Sequence, residues 1–485
     1  MLLVVCLLAA TSCKNGSPSA AGHTTLRIGF GLGPSARTSG LGILADLLYA
    51  EPLIALNAQG KPSGRLAESW EWQDGHRTLR VVLRQGTALH DGRTLDAPLA
   101  RTFLQHKIDA VQNGDRAGAF DGVQSIDTPD AQTLLIHLRA PDAFLIPEFN
   151  NAYLVDPAST DIGTGPFRLV SRDPVQAERF DRHHRGAPAI DRVTIQTYDT
   201  QRAAWAALMR NEVDAVQEVN RESIEFMATS TDIKTFSSLR PYYWALSLNL
   251  KHPQLRRPEV RRTLNKAVNR DEIISRVMRG YGTPAVDPVW PLFWAYPSLP
   301  KHHEFQPAVA KVEMQEHLRG RPGLKFRCLF YGEDPQFERM ALLLQRQLNE
   351  VGVQLELQPA TLKEMMLKMQ SGDFDSMLLL FASGRALDWT YRFWHSPLAG
   401  QQSLQTTSYT GADSALDDLR VAFTEPEVRE GVTRLRQTFY EDPPAVFIAW
   451  QQVTRAVSAR FDLSEADEQD AFANIWQWKP AARRP

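Results

Sequence analysis

The stretch LAESWEWQDGHRTLRVVLRQGTALHDG, from Leu66 to Gly92, decides how the rest of the chain is read. Trp70 and Trp72 are two residues apart, so on a strand both rings cover one face. Gly75 marks a turn. In Thr78 to Arg84, Leu79, Val81 and Leu83 alternate with Arg80, Val82 and Arg84, the pattern of a half-buried strand. Asp91-Gly92 is a turn pair, with His90 leading into it. A His beside an Asp also suits a catalytic loop or a metal site, so the surrounding chain has to choose among these.

The chain has 485 residues and a formal net charge of −2. That length predicts two or three domains. The near balance of acids and bases argues against general affinity for nucleic acid or anionic lipid surfaces. MLLVVCLLAATSC opens the chain with an apolar run, Leu2 to Ala10, too short to span a bilayer as a helix. It reads as a secretory apolar region, although no Lys or Arg precedes it. Ala10-Thr11-Ser12-Cys13 resembles a bacterial lipobox, which implies cleavage after residue 12 and a lipid on Cys13. Residues 13–23 then form a polar tether. An ordinary cleaved signal with an incidental Cys is the competing reading. With Cys6 removed and Cys13 lipidated, only Cys328 remains, in the apolar run Leu324 to Phe330, where burial is expected.

Strands and helices are mixed along the chain. Thr25 to Phe30, Thr133 to Leu138, Val193 to Tyr198 and Val353 to Leu357 read as strands. Gly42 to Leu48, Pro258 to Met278 and Phe337 to Val351 read as helices, with Gly352 ending the last. Gly282 to Pro300 is irregular and carries Trp290, Phe293, Trp294 and Tyr296, rings that face a ligand or pack on the surface beneath them.

No G-x-S-x-G elbow, Walker loop or H-E-x-x-H motif occurs in the sequence. Gly31 to Ala36 matches the dinucleotide fingerprint in letters, but Pro34 and the lack of a helix opening from the loop make it a turn. The pairs His183-His184 and His302-His303 are expected to be solvated, because neighbours on a strand point to opposite faces and seldom share one metal. Asp373 and Asp375 fit a turn entering a strand. Binding is therefore the leading class, with no cofactor and no metal.

Leu47 to Gly92 resembles the amino-terminal signature of the family 5 extracellular solute-binding proteins, the dipeptide-, oligopeptide- and nickel-binding components of ABC importers. It shares E-P-L after an aromatic, G-K, L-A-E-S-W, a strand ending in L-R-x-G, and H-D-G. Gly163-Thr164-Gly165-Pro166-Phe167 looks like the family's G-T-G-P-[YF]. Gly186 to Val193 is similar to G-x-P-x-[ILV]-D-x-[VI], and Arg210 to Asp214 to G-E-V-D with Asn211 in place of Gly. Pro258 to Val277, Leu348 to Leu355 and Gly372 to Leu378 continue the match.

The resemblance implies an α/β, two-lobed periplasmic-binding-protein fold of type II, in the large peptide-binding class with an extra subdomain. Residues 24–52, 156–245 and 446–485 would form lobe I, residues 53–155 the subdomain appended to it, and residues 246–445 lobe II. It also implies a monomer in the cell envelope, on the periplasmic side of a bacterial membrane, held by its lipid and passing a peptide or similar polar solute to permease subunits. Peptide-binding members carry an Asp for the ligand's ammonium in a loop matching Phe381 to Trp389 (FASGRALDW). Here Gly384 or Arg385 falls near that Asp, and Asp388 aligns with a later one, Trp389 replacing a Pro. Two readings follow: Arg385 selects an anionic group, or Asp388 receives an amine. Phe381, Trp389, Trp290, Trp294, Tyr243 and Trp244 are candidate cleft rings, though each ring also suits the core. An exported hydrolase or a chaperone-like protein on the same fold is the alternative.

Overall fold

The computed structural model describes residues 24–32, 39–110, 118–219, 223–224, 227, 230–298, 303–397, 404–405, 407–463 and 468–482. Cys13, the tether, Gly33 to Ala36 and His302 lie outside them.

An eleven-stranded mixed sheet runs through both lobes. On one side stand the parallel strands Gln354–Ala360, Lys325–Tyr331 and Ser376–Ala382. On the other stand Ala215–Val216, Thr25–Gly31, Arg192–Tyr198, Val175–Arg179 and Phe167–Arg172. Two long antiparallel strands, Ile233–Leu248 and Ala445–Ser458, join the halves. Their ladder changes register between Leu239 and Tyr243, around Pro241, which has no N–H to donate. One stretch of each strand therefore belongs to one half of the sheet, with a weakened ladder between them.

The opening stretch forms the subdomain. Its sheet has the order Ala67–Gln73, Thr78–Leu83, Thr133–Leu138, Val123–Asp127, all antiparallel. Trp70 faces Val81 and Trp72 faces Leu79 across the ladder, so these four share a face. Leu79, Val81, Leu134 and Ile136 are fully buried. Each side chain so buried contributes about 1.5–3 kcal/mol. Helix Ala97–Ala110 covers the sheet with Phe103, Leu104 and Ile108, and Pro98 sits in its first turn, where its missing N–H costs nothing.

His90 settles what the H-D-G motif does. Its Nε2 donates to the Gly165 carbonyl at 3.0 Å, its Nδ1 accepts from the Gly163 amide at 3.3 Å, and its own amide donates to the Gly163 carbonyl. A Cβ on Gly163 or Gly165 would lie 2.2 or 2.5 Å from the Tyr49 backbone. H-D-G, G-T-G-P and the aromatic before E-P-L are thus three sides of one joint, a scaffold rather than a reactive centre.

The other elements correspond closely to the expected ones, with one clear difference. The helix expected over Pro258 to Met278 is two helices, Pro258–Ala267 and Arg270–Arg276. Val268 and Asn269 are extended, and the Asn269 side chain accepts from the Glu272 amide, capping the second helix. Cys328 is fully buried, as its apolar run implies.

Candidate functional site

Ligands of open α/β sheets bind outside the carboxyl ends of strands, where connections reverse. Strand Ser376–Ala382 ends beside the register break: the Ser383 amide donates to the Pro241 carbonyl at 2.7 Å, and its hydroxyl to the Pro288 carbonyl. The loop that follows leaves lobe II and meets the subdomain. Gly384 has a φ of +65°, and a Cβ there would sit 2.7 Å from the Trp389 ring. Arg385 is half-buried, and its Nη1 donates to the Leu56 carbonyl at 3.3 Å. Gly60, at φ +76°, is close enough to the Arg385 carbonyl that a Cβ would stand 2.0 Å from it.

Asp388 opens helix Asp388–Trp394 and is 5% exposed. Its carboxylate is held by the amides of Asp388 and Trp389. Burial pushes this carboxyl up to about 7, aided by the Glu148 charge and opposed by Arg392. Arg392 is ion-paired with Glu148 of the subdomain, and its guanidinium lies 4.8 Å from the centre of the Trp389 ring. The seam between subdomain and lobe II thus encloses two carboxylates with one guanidinium.

The rings divide into two groups. Tyr243 is 1% exposed, stacks on Phe381 at 5.4 Å and accepts a hydrogen bond from Trp394 Nε1. Trp290 is buried against Trp450 and donates to the Ala58 carbonyl at 2.8 Å. Trp294 is half-buried between Lys61 and Arg429, and Trp389 packs on Phe393. Trp290, Trp294 and Arg385 of the 381–389 loop all meet the subdomain turn Leu56 to Lys61. Trp244 lies apart, packed on Phe337 in the lobe II core, because neighbours on a strand face opposite ways.

Several polar groups at this junction were not singled out by the sequence. Glu148 and Arg392 are one such pair. At the register break, Arg240 lies 3.4 Å from Glu218 and over the Tyr242 ring. Among the described residues, the buried Gln217 Oε1 has no hydrogen-bond partner. Gln217 and Glu218 directly follow strand Ala215–Val216, a carboxyl-end position that could have been noted from the sequence alone.

The histidine pairs depart from expectation. His183 and His303 are buried, not solvated. His303 stacks on Tyr440 and bonds its carbonyl, and burial pushes its imidazole down to about 4. His183 and His184 occupy a turn rather than a strand, so both reach one carboxylate, Glu51.

The family model for bacterial extracellular solute-binding proteins, family 5, matches residues 61–400. The glutathione-binding protein GsiB of Salmonella paratyphi A is 23% identical over 383 residues, covering 75% of this chain and 74% of that protein. The oligopeptide-binding protein AppA of Bacillus subtilis is 22% identical over 452 residues, covering 85% and 82%. The solved structure of an AppA described as a peptide-binding protein, from Clostridium difficile, matches the fold with a TM-score of 0.81 at 18% identity, covering 94% of this chain and all of that one. Among the described residues no helix is long and apolar enough to cross a membrane. Two lobes joined by two long strands, with a seam of polar groups and rings beside the crossing, make a frame for enclosing a solute, and the chain belongs to family 5 of the bacterial extracellular solute-binding proteins.

Proposed function

We propose that the protein is the solute receptor of an ABC importer, that it encloses a short peptide or similar polar solute between its lobes, and that it hands this solute over with its bonds intact. The observation that carries this reading is the seam at Ser383 to Asp388, tied at one end to Pro241, at the register break of the long strand Ile233–Leu248, and at the other to the subdomain. A solute lodged there touches both sides, binds the closed form better and shifts the population toward it. The buried Asp388 carboxyl is the acceptor we assign to an ammonium group, which would hold it ionised. Arg385 is the group we assign to a carboxylate, its fork giving a bidentate pair. The names of GsiB and AppA, a glutathione- and an oligopeptide-binding protein, favour the peptide class. Lipidation of Cys13 and a monomeric state on the periplasmic side of the membrane complete the proposal.

Calorimetric titration with short peptides tests it. N-acetylation of the peptide or Asp388→Asn should each cost about 2 kcal/mol, as should Arg385→Ala for peptides with a free carboxylate. Equal affinity for free and acetylated peptides would remove Asp388 from the site. Recovery of cleaved peptide after incubation would overturn the receptor reading in favour of a hydrolase.

A further inference from the structure

Among the described residues, Glu51, His183 and His184 are arranged so that each could offer one ligand atom to a shared ion, with these atoms all within 4.8 Å of one another. Nothing in solute binding between the lobes uses them: all three belong to the lobe I side. Glu51 follows helix Ser39–Tyr49 and pairs its backbone with Leu154, at the root of the subdomain. The histidines lie in the turn after strand Val175–Arg179.

His184 Nε2 is 2.9 Å from Glu51 Oε2, which also accepts from the Thr164 hydroxyl at 3.2 Å. His183 Nε2 is 3.5 Å from Oε1. On its other side, His183 Nδ1 is 3.2 Å from the Gly186 carbonyl, which can only accept, so Nδ1 carries the proton. In the neutral ring Nε2 is then a lone pair. It is buried, and among the described residues its one polar neighbour in line is the Glu51 carboxylate, 3.5 Å away, a long contact for a hydrogen bond. Two electron-rich atoms facing each other in a dry interior call for a cation between them.

We infer that Glu51, His183 and His184 form a binding site for a first-row transition-metal cation, zinc(II) by preference. Two imidazoles and a carboxylate suit such an ion better than magnesium or calcium, which take oxygen ligands. Donors around tetrahedral zinc at about 2.0–2.1 Å stand roughly 3.4 Å apart; here the three donor atoms lie within 4.8 Å of one another, with His184 2.9 Å from one Glu51 oxygen and His183 3.5 Å from the other, so a small side-chain adjustment would close them on an ion. Surrounding groups already hold the ligands as metal sites require. Gly186 fixes the His183 tautomer, Thr164 orients Glu51, and Trp476, covered by Arg185, lies beside His183. With three protein ligands, the fourth position is left to water. The ion would tie the base of the subdomain to the lobe I sheet, a structural rather than a transport role.

The test is zinc(II) titration of the chelator-stripped full chain, followed by calorimetry and by melting temperature. We expect one site, a zinc-dependent rise in melting temperature, and an affinity about 100-fold weaker in His183→Ala and in His184→Ala. Arg385→Ala, in the seam, should leave zinc binding unchanged. X-ray absorption at the zinc edge of the unmodified protein should show two imidazole nitrogens, which keeps the test open if a variant fails to fold. Absence of the site in the stripped protein, unchanged affinity in folded histidine variants, or an all-oxygen shell would overturn the inference and leave a protonated His183 as the partner of Glu51.

Discussion

The two lobes each fasten a parallel strand in the same way. In lobe I, Arg27 on strand Thr25–Gly31 donates to Asp214 from its backbone amide at 3.0 Å and from its guanidinium at 2.8 and 3.0 Å. In lobe II, Arg327 on strand Lys325–Tyr331 donates to Asp375 from its amide at 2.9 Å and from its guanidinium at 3.1 and 3.4 Å. Even the register agrees, Ile28 opposite Ala215 and Cys328 opposite Ser376, each one residue past its Arg–Asp pair. Each Asp follows a helix, a left-handed residue and a buried apolar residue: Asn211 and Val213 in one lobe, Gly372 and Phe374 in the other. The lobes differ in how deeply the joint is set. The Asp214 side chain is 2% exposed and takes a second guanidinium, from Arg460, whereas that of Asp375 is 22% exposed and pairs with Arg327. The same segment can thus serve as a closed core joint or as a half-solvated one, depending on what the carboxyl-terminal chain adds.

The largest expected effect at the two joints tests that difference in depth. Asp214→Ala should cost about 2 kcal/mol, because it removes a buried acceptor from the Arg27 amide and from two guanidinium groups, which water can only partly re-solvate at Arg27 and largely re-solvates at Arg460. Asp375→Ala should cost about 1 kcal/mol, since water reaches that pair. Urea unfolding of the two variants gives the ratio. Equal losses would mean that depth does not govern the joint.

A third carboxylate sharpens the contrast through the sign of its pH dependence. Burial pushes the Asp375 carboxyl up, but the hydrogen bonds and charge of Arg327 outweigh it and hold it below the ordinary range. Its stabilising contribution is present above about pH 4 and is lost as pH falls further. Asp388 behaves oppositely: its carboxyl sits at about 7, so the fold keeps a proton that the unfolded chain releases near pH 4. Stability from this group is complete below pH 4 and is lost as pH rises to 7. Asp388→Asn should therefore match the native chain in acid and exceed it by roughly 4 kcal/mol at pH 8, in the absence of solute. Parallel pH profiles for variant and native chain would contradict the burial of that charge.

These carboxylates also show what a sequence can and cannot reveal here. The strands followed from alternation, because one buried face imposes a period of two on the residues. The family motifs marked where joints lie, yet the partner of His90 is a loop more than 70 residues away, and Glu148 meets Arg392 from a different domain. Such pairings depend on topology, which local pattern does not encode. Periodicity likewise missed the break at Val268 and Asn269, because a cap acts through one side chain and leaves the apolar spacing almost intact. Tyr243 and Trp244 are the instructive pair: strand alternation already forbids both from facing one cleft, and the structure sends Trp244 to the lobe II core.

The smallest expected effect concerns the left-handed residues themselves. Asn211, at φ +58°, stands where the family motif has Gly, and Gly372, at φ +73°, keeps the Gly. Asn enters this region at lower cost than other side chains, and its presence restricts the unfolded chain more than Gly does. A Cβ at Gly372 would meet only Lys251 Nζ, at 3.5 Å, an ordinary contact. The exchange should therefore be nearly neutral both ways, with Asn211→Gly and Gly372→Asn each shifting stability by less than about 0.5 kcal/mol. Ala at either position should cost about 1 kcal/mol, having neither the freedom of Gly nor the local hydrogen bonds of Asn. Thermal unfolding of the four variants resolves these differences. A large loss for Gly372→Asn beside a small one for Asn211→Ala would show that the two turns obey different constraints, and the likeness of the joints would then end at the Arg–Asp pair.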